Sequence, residues 1–162
     1  MDDVNYSVLT YAASEKKNAM GPSLLDPRSG EILEADIMWW HNVLSMVSEW
    51  ITVQTGTVCP EARSVQLPDS LFGDAIRFVA CHEVGHSLGL RHNMMGSAAF
   101  PTDSLRSATF TSRLNSTASS IMDYARFNYI AQPGDGVKVL SPHIGPYDIF
   151  AIEYGYRWYG KN

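Results

Sequence analysis

The chain has 162 residues, 45% of them apolar, with a formal charge of −5 and a pI near 5.4. That length and apolar share suit one domain around a single core, and the scattered Lys and Arg make no basic field for nucleic acid. The longest apolar runs, Ile37-Met38-Trp39-Trp40 and Phe78-Val79-Ala80-Cys81, are far below the roughly 18 residues needed to span a bilayer.

Met1 to Asn5 is acidic and polar, without the basic flank and apolar stretch of a secretory signal. A start so abrupt, at what reads as a strand, is expected of a piece cut from a longer precursor. Residues 6 to 11, Tyr-Ser-Val-Leu-Thr-Tyr, are β-branched and aromatic and predict a strand. A hairpin follows: Leu24-Leu25 and Glu31-Ile32-Leu33 flank Asp26-Pro27-Arg28-Ser29-Gly30, where Pro presets φ and Gly supplies a positive φ near the exit. From Asp36 to about Thr55, Ile37, Trp40, Val43, Leu44, Val47 and Ile51 recur at spacings of three and four, predicting one helix. Residues 57 to 68 carry Pro60 and Pro68 and read as a connection.

A second helix is expected to start with Asp69 or Ser70 as its cap and to run until Gly89 ends it in a left-handed conformation. Residues 93 to 120 are rich in Ser, Thr, Ala and Met with no sustained period, which predicts mostly irregular chain. Tyr147, Ile149, Ile152 and Tyr156 predict a short terminal helix after Pro146. Cys59 and Cys81 allow at most one disulfide, show no CxxC spacing and read as free, buried thiols.

The chemistry lies in His82-Glu83-Val84-Gly85-His86-Ser87-Leu88-Gly89-Leu90-Arg91-His92. Helix residues four apart lie one turn above each other, so His82 and His86 can present imidazole nitrogens to one tetrahedral zinc. Glu83 stands about 100° further round, beside the metal and outside its ligand set, where it can take a proton from water. Gly89 can adopt φ > 0 and return His92 as a third ligand. Three protein ligands leave a fourth position open, as catalytic and not structural zinc sites do. The HExxH pattern alone arises by accident in roughly one chain of this length in several hundred; requiring Gly89 and His92 lowers that rate roughly a thousandfold. The competing reading is an amphipathic core helix with buried histidines. His41 and His143 read as non-ligands, and Asn5-Tyr6-Ser7 and Asn115-Ser116-Thr117 as accidental glycosylation triplets.

HEVGHSLGLRH resembles the extended zinc signature of the metzincins, and Ser120-Ile121-Met122-Asp123-Tyr124 resembles their Met-turn. The likeness is closest to the bacterial Met-zincin domain, through Gly21-Pro22-Ser23, Asp26 to Leu33, His92-Asn93-Met94 and Ile144-Gly145-Pro146-Tyr147-Asp148 as well. It implies an α+β zincin fold: a small mixed sheet with an edge hairpin, an active-site helix, and an irregular C-terminal part ending in a helix. The whole chain would be one catalytic domain, residues 1–92 forming an upper subdomain and 93–162 a lower one. It further implies one catalytic zinc held by His82, His86 and His92, with Glu83 as general base. Met122 would lie beneath the metal without ligating it, and Tyr124 would match the tyrosine that stabilises the tetrahedral intermediate in astacin- and serralysin-like members.

Asp148 can serve as an N-terminal dipole partner of its helix; its matrixin-like setting implies a hydrogen bond to the Met-turn backbone. Residues 19 to 25, with Gly21, Pro22, Ser23 and Leu24, would bind extended peptide by strand addition. Metzincin domains begin with further strands and a backing helix, so the resemblance implies N-terminal truncation, further domains in the full-length protein and action outside the cytoplasm. The expected activity is zinc-dependent endopeptidase on a peptide or protein substrate. Its rivals are an inactive zinc-binding module that presents peptides and a purely structural module, against which the intact Glu83 and the open coordination position argue in turn. Specificity is expected from residues 125 to 131, and the sequence leaves calcium open.

Overall fold

The β-branched and aromatic run near the N-terminus does form a strand in the computed structural model, which describes residues 5–160. The strand, β1, is Leu9–Ala12, later than residues 6 to 11. Ser7 and Val8 are spent on the approach to the ladder: the Ser7 hydroxyl accepts from Ala35 N, and Val8 N donates to the Asp36 carboxylate. The short strands β2 (Ala19–Met20), β3 (Leu24–Leu25), β4 (Ile32–Glu34) and β5 (Ile37–Trp40) follow. A three-stranded sheet has the order β1-β5-β2, with β1 parallel to β5 from Leu9↔Ile37 to Ala12↔Trp40 and β2 antiparallel at Ala19↔Trp39.

The expected hairpin is β3 against β4, antiparallel, with Leu24 opposite Glu34 and Leu25 opposite Ile32. Its turn is closed by Asp26, whose carboxylate accepts from Arg28 N at 2.8 Å, and by Gly30 at φ 78°. The Arg28 guanidinium and backbone beside Asp26 lower the pKa of its carboxyl below the usual range.

One predicted helix over 36 to 55 proves to be a strand followed by a helix. Ile37 and Trp39 are buried while Met38 and Trp40 are half-buried, a two-residue alternation that fits a pleated strand. A run of four apolar residues satisfies both periods, and pairing with strands on either side decides for β. His41 N extends the ladder to Ala12 O at 2.9 Å. Asn42 gives its side-chain amide to Glu15 O and so caps nothing. Helix α1 then runs Val43–Thr55, burying Val43, Val47, Ile51 and Thr55 at strict spacings of four. It packs on α2 (Asp69–Ser87), which also meets β2 and β5. Ala75, Phe78 and Val79 of α2 join Ile37 and Trp39 in this core.

The chain divides into two compact units between Arg91 and His92. In the second, α3 (Ala108–Leu114) is a helix that the sequence reading left irregular. Its signal is Ser107, whose hydroxyl accepts from Phe110 N at 3.2 Å as a cap, with Asn115 at φ 48° closing the other end. Elsewhere side chains replace regular ladders. Asn128 donates to Leu105 O, accepts from Ile130 N and Ala131 N, and its own N–H reaches Leu140 O at 2.7 Å. Arg106 grips Asp135 through two bonds of 2.9 Å, holding that carboxyl at a pKa of about 2.

The terminal helix α4 is Pro146–Tyr156. Most of its aromatic and aliphatic side chains face outward, with Tyr147, Ile149 and Tyr156 exposed and Ile152 half-buried, and Asp148 is its one buried residue. Among the described residues no helix is long and apolar enough to cross a membrane.

Ile51 is 0% exposed and Val53, two residues on, is 81% exposed. Ile51→Ala is therefore expected to cost about 2–5 kcal/mol by chemical denaturation, whereas Val53→Ala should stay within about 0.5 kcal/mol.

Candidate metal centre

Helix α2 delivers two histidines one turn apart, with the ring centroids of His82 and His86 4.9 Å apart and the planes at 85°. His82 and Glu83 are buried. The helix opens differently from expectation. Pro68 occupies the cap position, no side chain caps the helix, and Asp69 is its first residue, leaving its charge to act on the helix dipole.

The other end matches expectation in chemical detail. Gly89 has φ 85°, its N–H reaches His86 O at 2.9 Å, and Leu90 N reaches Gly85 O at 3.0 Å. This pair of bonds around a left-handed residue is the Schellman arrangement. A side chain at Gly89 would also press on Ile32 Cδ1 of β4, 3.3 Å from an added Cβ.

Three residues later comes His92. One ligand atom from each of His82, His86 and His92 lies within 4.8 Å of the others, the one such group among the described residues. The donor chemistry suits a divalent metal of zinc type: three imidazoles, neutral when they ligate. His86 Nδ1 faces Leu90 O at 2.9 Å. Donation by that nitrogen leaves Nε2 as the lone-pair donor, a tautomer lock typical of metal histidines. The same turn that ends α2 thus supplies the carbonyl that orients one of its ligands.

Glu83 has its carboxyl pKa raised above the ordinary value, chiefly by burial. The charge of His86 and the nearby Gly21 N–H pull in the opposite direction. Tyr124 is exposed, and its hydroxyl bonds to His92 Nε2 at 2.9 Å with the two rings 4.5 Å apart. The sequence reading overlooked Arg126, whose guanidinium lies 4.7 Å from the centre of the Tyr124 ring and whose backbone is left-handed at φ 59°. Its long side chain announces neither property.

Met122 is buried, and its carbonyl accepts from Asn93 N at 3.0 Å, tying the Met-turn to the residue after His92. Asp148 is the turn's anchor: one oxygen accepts from Ser120 Oγ at 2.6 Å, the other from Ile121 N and Gly145 N at 2.7 Å each. It therefore bonds both the N-terminus of its own helix and the Met-turn backbone.

Residues 19 to 25 form two short strands in different sheets, not one continuous edge. Ala19 and Met20 pair with β5, Leu24 pairs with Glu34, and Pro22 between them has no N–H to give. Gly21 directs its N–H at Glu83, while Pro22, Ser23 and Leu24 are exposed. His41 meets the Tyr11 hydroxyl and His143 meets Asn115 O, both outside the histidine group. Cys59 and Cys81 form no disulfide and are half-buried, less enclosed than the buried thiols expected. Partial burial raises both thiol pKa values.

Purified protein is expected to hold about one zinc per chain by elemental analysis, and alanine at His82, His86 or His92 to reduce that severely. Full occupancy in the His92 variant would reassign the third ligand.

The sequence pattern of the Met-zincin family matches residues 64–162, which takes in α2, all three histidines, the Met-turn and α4. No curated protein and no solved structure matches the chain. With more than half of its length matched and a histidine trio fit for a metal ion, the chain belongs to the Met-zincin family.

Proposed function

We propose that this chain is a zinc endopeptidase, with His82, His86 and His92 as the metal ligands and Glu83 as general base. The observation that carries the reading is the ligand-atom cluster within 4.8 Å together with Glu83 in the turn of helix between the first two ligands. Zinc, when bound there, supplies Lewis acidity and lowers the pKa of its water toward 7.

The chain's own residues do the rest. Burial raises the Glu83 carboxyl pKa above its ordinary value, which makes the carboxylate a stronger proton acceptor. Glu83 removes the proton from the attacking water as oxygen adds to the scissile carbonyl, and later delivers it to the departing amine. In this reading the Tyr124 hydroxyl, which bonds to His92, would donate to the oxyanion that develops on the former carbonyl oxygen. Tyr124 is exposed and would leave His92 to reach that oxygen. The substrate class is peptide or protein.

Glu83→Gln preserves size and removes basicity. It is expected to keep zinc by elemental analysis while peptide hydrolysis, read by mass spectrometry of a peptide library, falls about a hundredfold to ten-thousandfold. Equal hydrolysis by parent and variant would remove Glu83 from the mechanism.

Tyr124→Phe should lower kcat about a hundredfold with little change in KM, because its hydrogen bond matters in the transition state and not in substrate binding. An unchanged kcat would make Tyr124 a packed aromatic of the turn.

A further inference from the structure

Gly21 directly follows β2, and its φ lies outside the left-handed region. Backbone conformation therefore does not demand glycine here; space does. A Cβ built on Gly21 would stand 2.7 Å from Glu83 O and 3.2 Å from His86 Cβ. The first contact is with helix backbone, which no rotamer change relieves. The bare Cα of Gly21 thus rests on the turn of α2 that carries both Glu83 and His86. In the same place its N–H faces the Glu83 carboxylate and lowers the pKa of that carboxyl.

We propose that Gly21 is a positioning residue for Glu83, the close approach of its Cα setting the height of the β2 edge over α2 and its N–H fixing the carboxylate's rotamer. The inference rests on Glu83 being the general base. It also reverses the part Gly21 would play in strand addition, because an N–H turned onto Glu83 is not offered to an incoming peptide, and Pro22 has none. One carboxylate lone pair occupied by a backbone donor leaves the others to receive a proton from water. A backbone donor on a sheet edge is a rigid partner, and general-base geometry tolerates little drift: about 1 Å of misplacement can cost about a hundredfold in rate.

Two measurements test this, one of them independent of activity. In metal-free protein labelled with 15N-glycine, Glu83→Ala should move the Gly21 amide proton upfield and speed its exchange with solvent, with Glu83→Gln giving a smaller change because the charge assistance alone is lost. A Gly21 amide indifferent to both substitutions would overturn the proposal. In zinc-loaded protein, Gly21→Ala should lower kcat about a hundredfold while KM stays within about twofold and zinc content is unchanged. A rise in KM at constant kcat would return Gly21 to the peptide-binding rim and likewise overturn it. Should the unsubstituted protein hydrolyse no peptide, the peptidase reading fails, and the amide measurement still decides whether Gly21 holds Glu83.

Discussion

The candidate centre depends on one backbone reversal. Had α2 continued past Ser87, residue 92 would sit roughly 9 Å further along the axis than His86, at a rise of about 1.5 Å per residue, and no single metal could span that distance. Gly89 at φ 85° ends the helix instead. For any other L-residue the left-handed region costs about 1–2 kcal/mol, and here Ile32 closes the space a side chain would need. The two Schellman bonds satisfy the Gly85 and His86 carbonyls of the last turn. The hairpin strand β4, remote in sequence, is thereby part of what shapes the histidine turn.

The second unit solves a different problem. It has little regular structure, yet Ser116, Ser119, Ser120, Asp123, Asn128 and Asp148 are buried. Buried polar groups are tolerated when they are hydrogen-bonded, and these side chains do for loops what ladders do for sheets. Asp123 accepts from Ser97 N at 2.7 Å, Ser119 donates to Gly96 O, and Asp148 takes three donors at once. Such an interior is held by direction more than by oily area. Each bond specifies one loop geometry, and a lost partner leaves a costly unpaired group.

Much of the site was legible because its chemistry is local in sequence. Spacings of four and the glycine three residues past His86 translate directly into helix geometry, and the Asp26 to Gly30 turn carries its own dihedral requirements. What escaped notice depends on distant neighbours. Ile37 to Trp40 suits a helix face until β1 and β2 are seen on either side of it. Ser107 marks a helix of only seven residues, too short for its period to stand out. Gly21 reads as part of a peptide-binding edge until the helix carbonyl beneath it is known. The terminal helix was visible, but its outward-facing aromatics were not, since an apolar pattern tells of amphiphilicity and says nothing of what lies opposite.

The Asp148 bonds also impose an order in time. Ribosomal synthesis presents residues 82 to 92 first, then the Met-turn at 120 to 124, and residue 148 only after a further two dozen peptide bonds. Until that carboxylate emerges, Ile121 N and Ser120 Oγ lack the acceptor they have in the finished fold. The bonds that tie residues 120 and 121 to the final helix can therefore form only after that helix has been made.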